Sequence, residues 1–386
     1  MIDRILKSEV LASAKEYPIV TIVGPRQSGK TTLAKLAFPK KAYYSLENPD
    51  TRAYAVEDPR GFLADIPEGA ILDEIQRTPD LLSYLQENVD NDSRVGRFIL
   101  TGSQHFLLMQ NISQSLAGRT AILTLLPLSF EELPEKSKRM DLDDMLRYSF
   151  YPRVHSQKMN PYNVMRDYFQ TYVERDIRNL LRVHDLMAFE SFVRLCAGRV
   201  GQLLNLTSLA NDAGISATTA REWISILEAS FIVYRLPPWF ANVSKRLIKS
   251  PKLYFYDVGL AVYLCGIEEV SQLKNHPLKG GFFENMIITE FLKRRYNKGK
   301  DNRLCFFRDR TGNEIDLLYP NGSEYIPIEI KSGKTVSSNW FKSFGVLNKT
   351  WTQKNASNAI VYGGDVLQKR SDCTVVPWRE LHVIGP

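Results

Sequence analysis

The sequence predicts an α/β protein: a parallel sheet covered on both faces, then a smaller helical region, then a second α/β unit. Three observations predict this. Apolar strand candidates alternate with helical stretches through the first third of the chain. A helix, a Gly turn and a second helix occupy the middle. A helix followed by strand candidates joined at Asn-Gly occupies the last part.

Ile19-Val20-Thr21-Ile22-Val23 is apolar and β-branched, the pattern of a buried strand. It runs into Gly24-Pro25-Arg26-Gln27-Ser28-Gly29-Lys30-Thr31, which fits G-x-x-x-x-G-K-[ST]. The glycines let backbone N–H groups curl around a phosphate chain. Lys30 would reach the β- and γ-phosphates, and the Thr31 hydroxyl would hold Mg²⁺. Thr32-Leu33-Ala34-Lys35-Leu36-Ala37 continues as a helix with its N-terminus aimed at the anion. Gly24 to Thr32 is therefore the expected nucleotide-binding set, with ATP and Mg²⁺ as cofactors.

Four more strand candidates follow: Lys41–Leu46, Gly69–Asp73, Arg97–Thr101 and Ala121–Leu125, separated by helical stretches such as Thr78–Asn88. Near-continuous apolar strands alternating with helices argue for a parallel sheet. Ile71-Leu72-Asp73-Glu74 places two acids at the carboxyl end of a strand, where open α/β sheets bind ligands. Asp73 would hold Mg²⁺ and Glu74 would polarise the attacking water. Phe98–Gln104 also ends in polar residues, and Ser103 or Gln104 would orient water or touch the γ-phosphate. Arg119, just before the next strand, is the candidate for stabilising charge during phosphoryl transfer, in cis or from a neighbouring copy.

In the middle, Thr207 is the expected N-cap of a short helix from Ser208, and Ser216 that of a second helix, Ala217 to Ala229. The second helix would bury Ala220, Trp223, Ile224 and Leu227 and show Thr218, Thr219, Arg221 and Glu222. Strand candidates Phe231–Leu236 and Lys252–Tyr256 flank the basic run Lys245-Arg246-Leu247-Ile248-Lys249, which could tip a wing. DNA binding would put Thr218, Thr219 and Arg221 near base edges and Lys245, Arg246 and Lys249 on phosphates. A scaffold that packs domains together is the competing reading, and Glu222 on the exposed face speaks for it.

Gly281-Phe282-Phe283-Glu284-Asn285 opens an amphipathic helix reaching about Tyr296, followed by strands Leu304–Arg308, Asn313–Tyr319 and Glu324–Ile330. Asn321-Gly322 is a two-residue hairpin signal. With those two residues as the turn, Asp316 faces Pro327 and Glu329 faces Glu314. Glu314, Asp316, Glu329 and Lys331 then share one face, with Asp316 and Glu329 diagonal neighbours about 7–8 Å apart between Cα atoms. Such carboxylates can share a divalent cation, and Lys331 could polarise a scissile phosphate or assist a water.

The strings GPRQSGKTTL, LDEIQ, LTGSQ, SLAGRT and LLPLSFEEL resemble the prokaryotic AAA-type ATPases that carry an uncharacterised C-terminal domain. The resemblance extends through Tyr168-x-x-x-Tyr172-Val173-Glu174-Arg175-Asp176-Ile177 and Pro251–Leu260, and so covers nearly the whole chain. It implies an AAA-type sheet with an extra strand between those bearing Gly24 and Asp73, and a winged helix in the middle. Asp316-x₁₂-Glu329-x-Lys331 resembles the D…E-x-K signature of restriction-endonuclease-like nucleases, in which Glu284 would be the fourth acid. The chain departs from the family at Glu47, where Asp is common, and lacks the Gly-rich turn before the proline of Tyr151-Pro152. The implied domains are an AAA-type ATP-binding domain over 1–160, a helical and winged-helix region over 161–265, and a nuclease-like domain over 266–386.

A net charge of +7 and a pI near 9.0 favour a polyanionic partner mildly. No apolar run approaches the ~20 residues of a membrane span, and the start does not read as a secretory signal. Four scattered cysteines form no C-x-x-C pair, so the expected place is a reducing cytoplasm. The sequence thus reads as a Mg²⁺-dependent ATPase acting with DNA or RNA, with homo-oligomerisation left open. The alternatives are an ATP-gated metal-dependent nuclease and a non-enzymatic, nucleotide-controlled switch for a protein partner.

Overall fold

The computed structural model describes residues 2–92, 94–103, 115–157, 159–172, 185–239, 250–309, 311–350 and 357–385. Strands β1 (Ile19–Val23), β2 (Ala42–Ser45), β3 (Ala70–Asp73), β4 (Phe98–Gly102) and β5 (Thr120–Thr124) form one parallel sheet in the order β2-β3-β4-β1-β5. β4 lies between the strands that lead into Gly24 and Glu74, as the resemblance implies. All residues of β1, β3 and β4 are buried, so side chains from both faces enter a core. Val20, Ile22, Ile71 and Ile99 pack with Leu33 and Ala34 of the helix Lys30–Ala37. Val23, Leu72 and Leu100 join the opposite core with Leu82 and Leu85. Truncating a fully buried leucine such as Leu100 to Ala costs about 2–5 kcal/mol in such a setting. The carboxyl ends of β1, β3 and β4 open on one edge of this sheet.

In the middle region the first helix begins two residues earlier than expected. Asn205, not Thr207, is the N-cap of Leu206–Ala213, its side chain accepting from Ser208 N at 3.0 Å. Gly214, at φ 68°, ends that helix in the left-handed region that favours glycine. Ser216 then caps Ala217–Ala229 through Thr219 N at 3.0 Å, as the sequence predicts. Trp223 is wedged edge-on against Phe189 and Phe192, each at 5.2 Å. β6 (Val233–Leu236) pairs antiparallel with β7 (Lys252–Phe255). Phe231 falls outside the strand because its φ of 57° is not extended. Lys245, Arg246 and Lys249 lie outside the described residues.

The last unit is a six-stranded sheet, β12-β13-β11-β10-β9-β8, against the helix Lys279–Tyr296. Its strands are β8 (Cys305–Arg308), β9 (Glu314–Asn321), β10 (Glu324–Lys331), β11 (Asn358–Tyr362), β12 (Gln368–Lys369) and β13 (Cys373–Pro377). β8, β9 and β10 are antiparallel neighbours, while β10, β11 and β13 run parallel. The helix is buried around most of its circumference, where the sequence suggests amphipathicity, because the sheet is not its only neighbour. Asn285 bonds Phe255 N and O at 2.6 and 2.9 Å, Glu290 accepts from Phe130 N at 2.8 Å, and Lys293 donates to Leu128 O at 2.9 Å.

The hairpin register differs from the expected one. Asn321 pairs with Glu324, so the loop is Gly322-Ser323, and Pro327 faces Leu318. Gly322 has φ 62° and Ser323 does not share a positive φ. This is the type II′ pattern, which wants glycine at its first central position, whereas Asn-Gly as the turn would need two positive φ values. The displacement moves each partner by two residues, so every side chain keeps its face. Continued by one residue, the observed register sets Glu329 opposite Asp316. Among the described residues no helix is long and apolar enough to cross a membrane.

Candidate functional site

The loop after β1 is shaped by its backbone. Gly24 has φ 152°, and a Cβ there would lie 2.1 Å from Leu125 O; Gly29, at φ 94°, begins the helix that follows. Gln27 also has a positive φ, 63°. Pro25 lies in the loop and Thr32 in the first turn of the helix, and Arg26 stacks over the Tyr172 ring at 5.1 Å. Ser28 is fully buried, and its carbonyl accepts from Arg4 at 2.6 Å. Arg4 also donates to Leu126 O at 2.6 Å and pairs with Glu132 at 3.1 Å, so a buried cation braces the loop from beneath.

Lys30 Nζ donates to Gly24 O at 3.0 Å and Pro25 O at 2.7 Å. Burial pushes its ammonium down to about 8, against the pull of Glu74 and Asp73. Thr31 Oγ1 donates to the Asp73 carboxylate at 2.9 and 3.1 Å. Tyr43 donates to the same carboxylate at 2.8 Å, and Thr101 donates to it as well. The Thr31 hydroxyl and Asp73 carboxylate form an oxygen-only pair, which fits Mg²⁺.

Glu74 adopts φ 58° and ψ 45°, a left-handed conformation that costs a non-glycine residue of order 1–3 kcal/mol. Its carboxylate accepts from Ser103 Oγ at 3.2 Å and from Gln76 Nε2, which also donates to Ser103 at 3.1 Å. Glu74 and Ser103, expected separately at two strand ends, thus meet. Gln104 lies outside the described residues. Sequence reading passed over Arg4, Tyr43, Gln76 and Thr101.

Arg119 is not brought to this site. Its carbonyl accepts from Ile19 N at the amino end of β1, one strand length from the loop that follows Val23. Its guanidinium pairs with Asp90, at 2.5 and 2.8 Å. A contact in cis with a γ-phosphate is excluded by that placement.

A second cluster forms where β7, β9, β10 and the helix Lys279–Tyr296 meet. Lys331 Nζ lies 3.1 Å from Asp316 and 2.5 Å from Glu329, and Ile330 N donates to Asp316 at 2.7 Å. Glu284, Asp316, Glu329 and Lys331 converge. The sequence reading missed Lys252 and Tyr254, which alternate on β7 and so share one face. Lys252 Nζ lies 2.8 Å from Glu284, contacts Glu314, and is 4.0 Å from Asp316. Tyr254 OH donates to Glu284 at 2.5 Å. Burial pushes the Glu284 and Glu329 carboxyls up, to about 7 and 8. Asp316 is held below its usual range by Lys331 and Lys252, which outweigh its burial.

Asp316 and Glu329, the expected metal pair, are both engaged by Lys331, and Lys252, a second cation that the D…E-x-K pattern does not contain, lies 4.0 Å from Asp316, so this donor set does not suit a divalent cation. Among the described residues no group of three or more His, Cys, Asp or Glu is arranged to hold a metal ion.

Residues 16–134 match the AAA domain. Residues 139–271 and 279–381 match two domains of unknown function (DUF8612 and DUF4143). An uncharacterised protein of Mycobacterium tuberculosis is 31% identical over 374 residues, covering 95% of this chain and 82% of that protein; one of Mycobacterium bovis matches equally. An uncharacterised protein of Haemophilus influenzae is 25% identical over 278 residues, covering 67% of this chain and 66% of that protein. Among solved structures, a Walker-type ATPase of Pyrococcus abyssi aligns at 14% identity and a TM-score of 0.45, over 68% of this chain and 96% of that one.

Proposed function

This chain belongs to one family with the two mycobacterial proteins, and we propose that it is a Mg²⁺-dependent ATPase that acts with nucleic acid. The observation that carries the reading is the meeting of three strand ends at one edge of the sheet: Lys30 and Thr31 after β1, Asp73 and Glu74 after β3, Ser103 after β4. The backbone of Gly24–Thr32 would cradle the phosphates, with Lys30 leaving its two carbonyls for the β- and γ-oxygens. Thr31 and Asp73 would hold Mg²⁺, whose charge offsets that of the phosphates. Glu74, steadied by Ser103 and Gln76, would orient the attacking water and take its proton. Arg119 keeps only a role toward a neighbouring copy, in a homo-oligomer.

Purified protein is expected to hydrolyse ATP with Mg²⁺, and Lys30→Ala to abolish binding and turnover; hydrolysis untouched by that change would sink the reading. The nucleic-acid part rests on Thr218 and Arg221, exposed on the helix that follows the Gly214 turn, and on the net charge of +7. Fluorescence anisotropy with DNA and RNA duplexes tests it: Arg221→Ala should weaken binding. The proposed units are an ATP-binding domain over 1–160, a winged-helix region over 161–265 and a nuclease-like fold over 266–386, in a cytoplasmic protein. Metal-dependent cleavage is no part of the proposal, given Lys252, a cation beyond the signature's own lysine, among the acids.

A further inference from the structure

The geometry points to Lys252 as the resident cation of the C-terminal acid cluster: a side chain from β7 holds the place that a divalent metal would need. Lys252 comes from the region that matches one domain of unknown function, and its acids come from the region that matches the other. Its side chain is 3% exposed, with Nζ 2.8 Å from Glu284, in contact with Glu314 and 4.0 Å from Asp316. Lys331 takes the far side of the same cluster, bridging Asp316 and Glu329. Four carboxylates at this depth cannot all be desolvated without cations among them; Lys252 and Lys331 serve within the cluster, and Arg308 pairs with Glu314 at its edge, at 2.9 Å.

The lysine is built in rather than draped over the site. Its backbone pairs with Leu236 of β6 on one side and bridges to Leu203 on the other. Tyr254, two residues on, fixes Glu284 from the same strand face at 2.5 Å. Phe306 lies under the ammonium, 5.5 Å from its ring centre, and adds a cation–π contact. The charge of Lys252 is favoured despite burial, because three acids surround it. The cluster is therefore an internal ion network joining the middle region to the C-terminal sheet, closed to Mg²⁺ or Mn²⁺ while Lys252 is in place.

Mn²⁺ binding tests this by calorimetry on the full chain without nucleotide, in an Asp73→Asn background that silences the first site. The protein bearing Lys252 is expected to show no Mn²⁺ site that depends on Asp316. Replacing Lys252 by Met should create one, and adding Asp316→Asn should weaken it by at least about tenfold. A Mn²⁺ site in the Lys252-bearing protein that Asp316→Asn abolishes overturns the inference, and so does a folded Lys252→Met protein that gains none. The first comparison needs no Lys252 variant, so it decides even if Lys252→Met fails to fold.

Discussion

The Thr31 hydroxyl donates to both oxygens of the Asp73 carboxylate, at 2.9 and 3.1 Å, across 42 residues of chain. The strand order explains the meeting. β1 and β3 run parallel with β4 between them, so the loop after one and the acid ending the other share an edge. Thr31→Ala and Asp73→Asn should each lower kcat by about 100-fold or more, the ~3 kcal/mol order seen when a contact to developing charge is lost. Nucleotide should still bind without Mg²⁺. Hydrolysis measured against Mg²⁺ concentration checks this; an unchanged Mg²⁺ dependence in Asp73→Asn would remove Asp73 from the metal's coordination.

Glu74 carries a separate expectation, since its carboxylate bonds Ser103 and Gln76. Glu74→Gln keeps the shape but loses the charge that draws a proton from water. We expect kcat to fall by about 100-fold, within the usual range for a general base, with KM for ATP little changed. A KM rise with kcat intact would make Glu74 a nucleotide ligand instead.

Arg4 braces the loop by a buried charge. It pairs with Glu132, and both side chains are nearly inaccessible, at 5% and 1%. Removing one partner of a buried pair strands the other, at a cost of about 3–5 kcal/mol. Arg4→Met should lower unfolding free energy by that order in urea titrations, and weaken ATP binding because Ser28 O loses its donor. Adding Glu132→Gln should recover part of the loss, since the orphaned charge is then gone. Full additivity of the two changes would contradict the pairing.

Some of this arrangement is legible in the sequence and some is not, for physical reasons. The strands are legible because β1, β3 and β4 are buried on both faces and therefore read as unbroken apolar runs. Glu74 and Ser103 are legible because polar residues at the carboxyl ends of such runs share one edge. The same logic, applied strictly, places Arg119 correctly: a residue that precedes a parallel strand stands at the end opposite to one that follows it. The hairpin face survived a wrong turn assignment because the register error was even. Lys252 was hidden because its partners lie 32 residues away and more, on other elements, and a lone lysine in an apolar strand carries no sign of them.

His155 makes stability depend on pH in a direction that can be worked out. Its Nε2 lies 2.9 Å from Ser149 O, which can only accept, so Nε2 carries the proton. Nδ1 then accepts from Ser137 Oγ at 2.9 Å. Burial pushes this imidazole down to about 4, with the nearby Lys293 charge acting the same way. The folded value lies below the unfolded one of about 6.5, so the contribution is fully present above pH 6.5 and is lost as pH falls toward 4. The shift corresponds to about 3 kcal/mol at most. Glu284 and Glu290, pushed up to about 7, act oppositely, their contribution being lost as pH rises. They are common to wild type and His155→Gln, so the difference between the two proteins isolates the histidine. That difference should be level above pH 7 and fall by up to ~3 kcal/mol between pH 6.5 and 4 in urea unfolding. A difference that stays level across that window would show that His155 is protonated as readily in the fold as in the open chain.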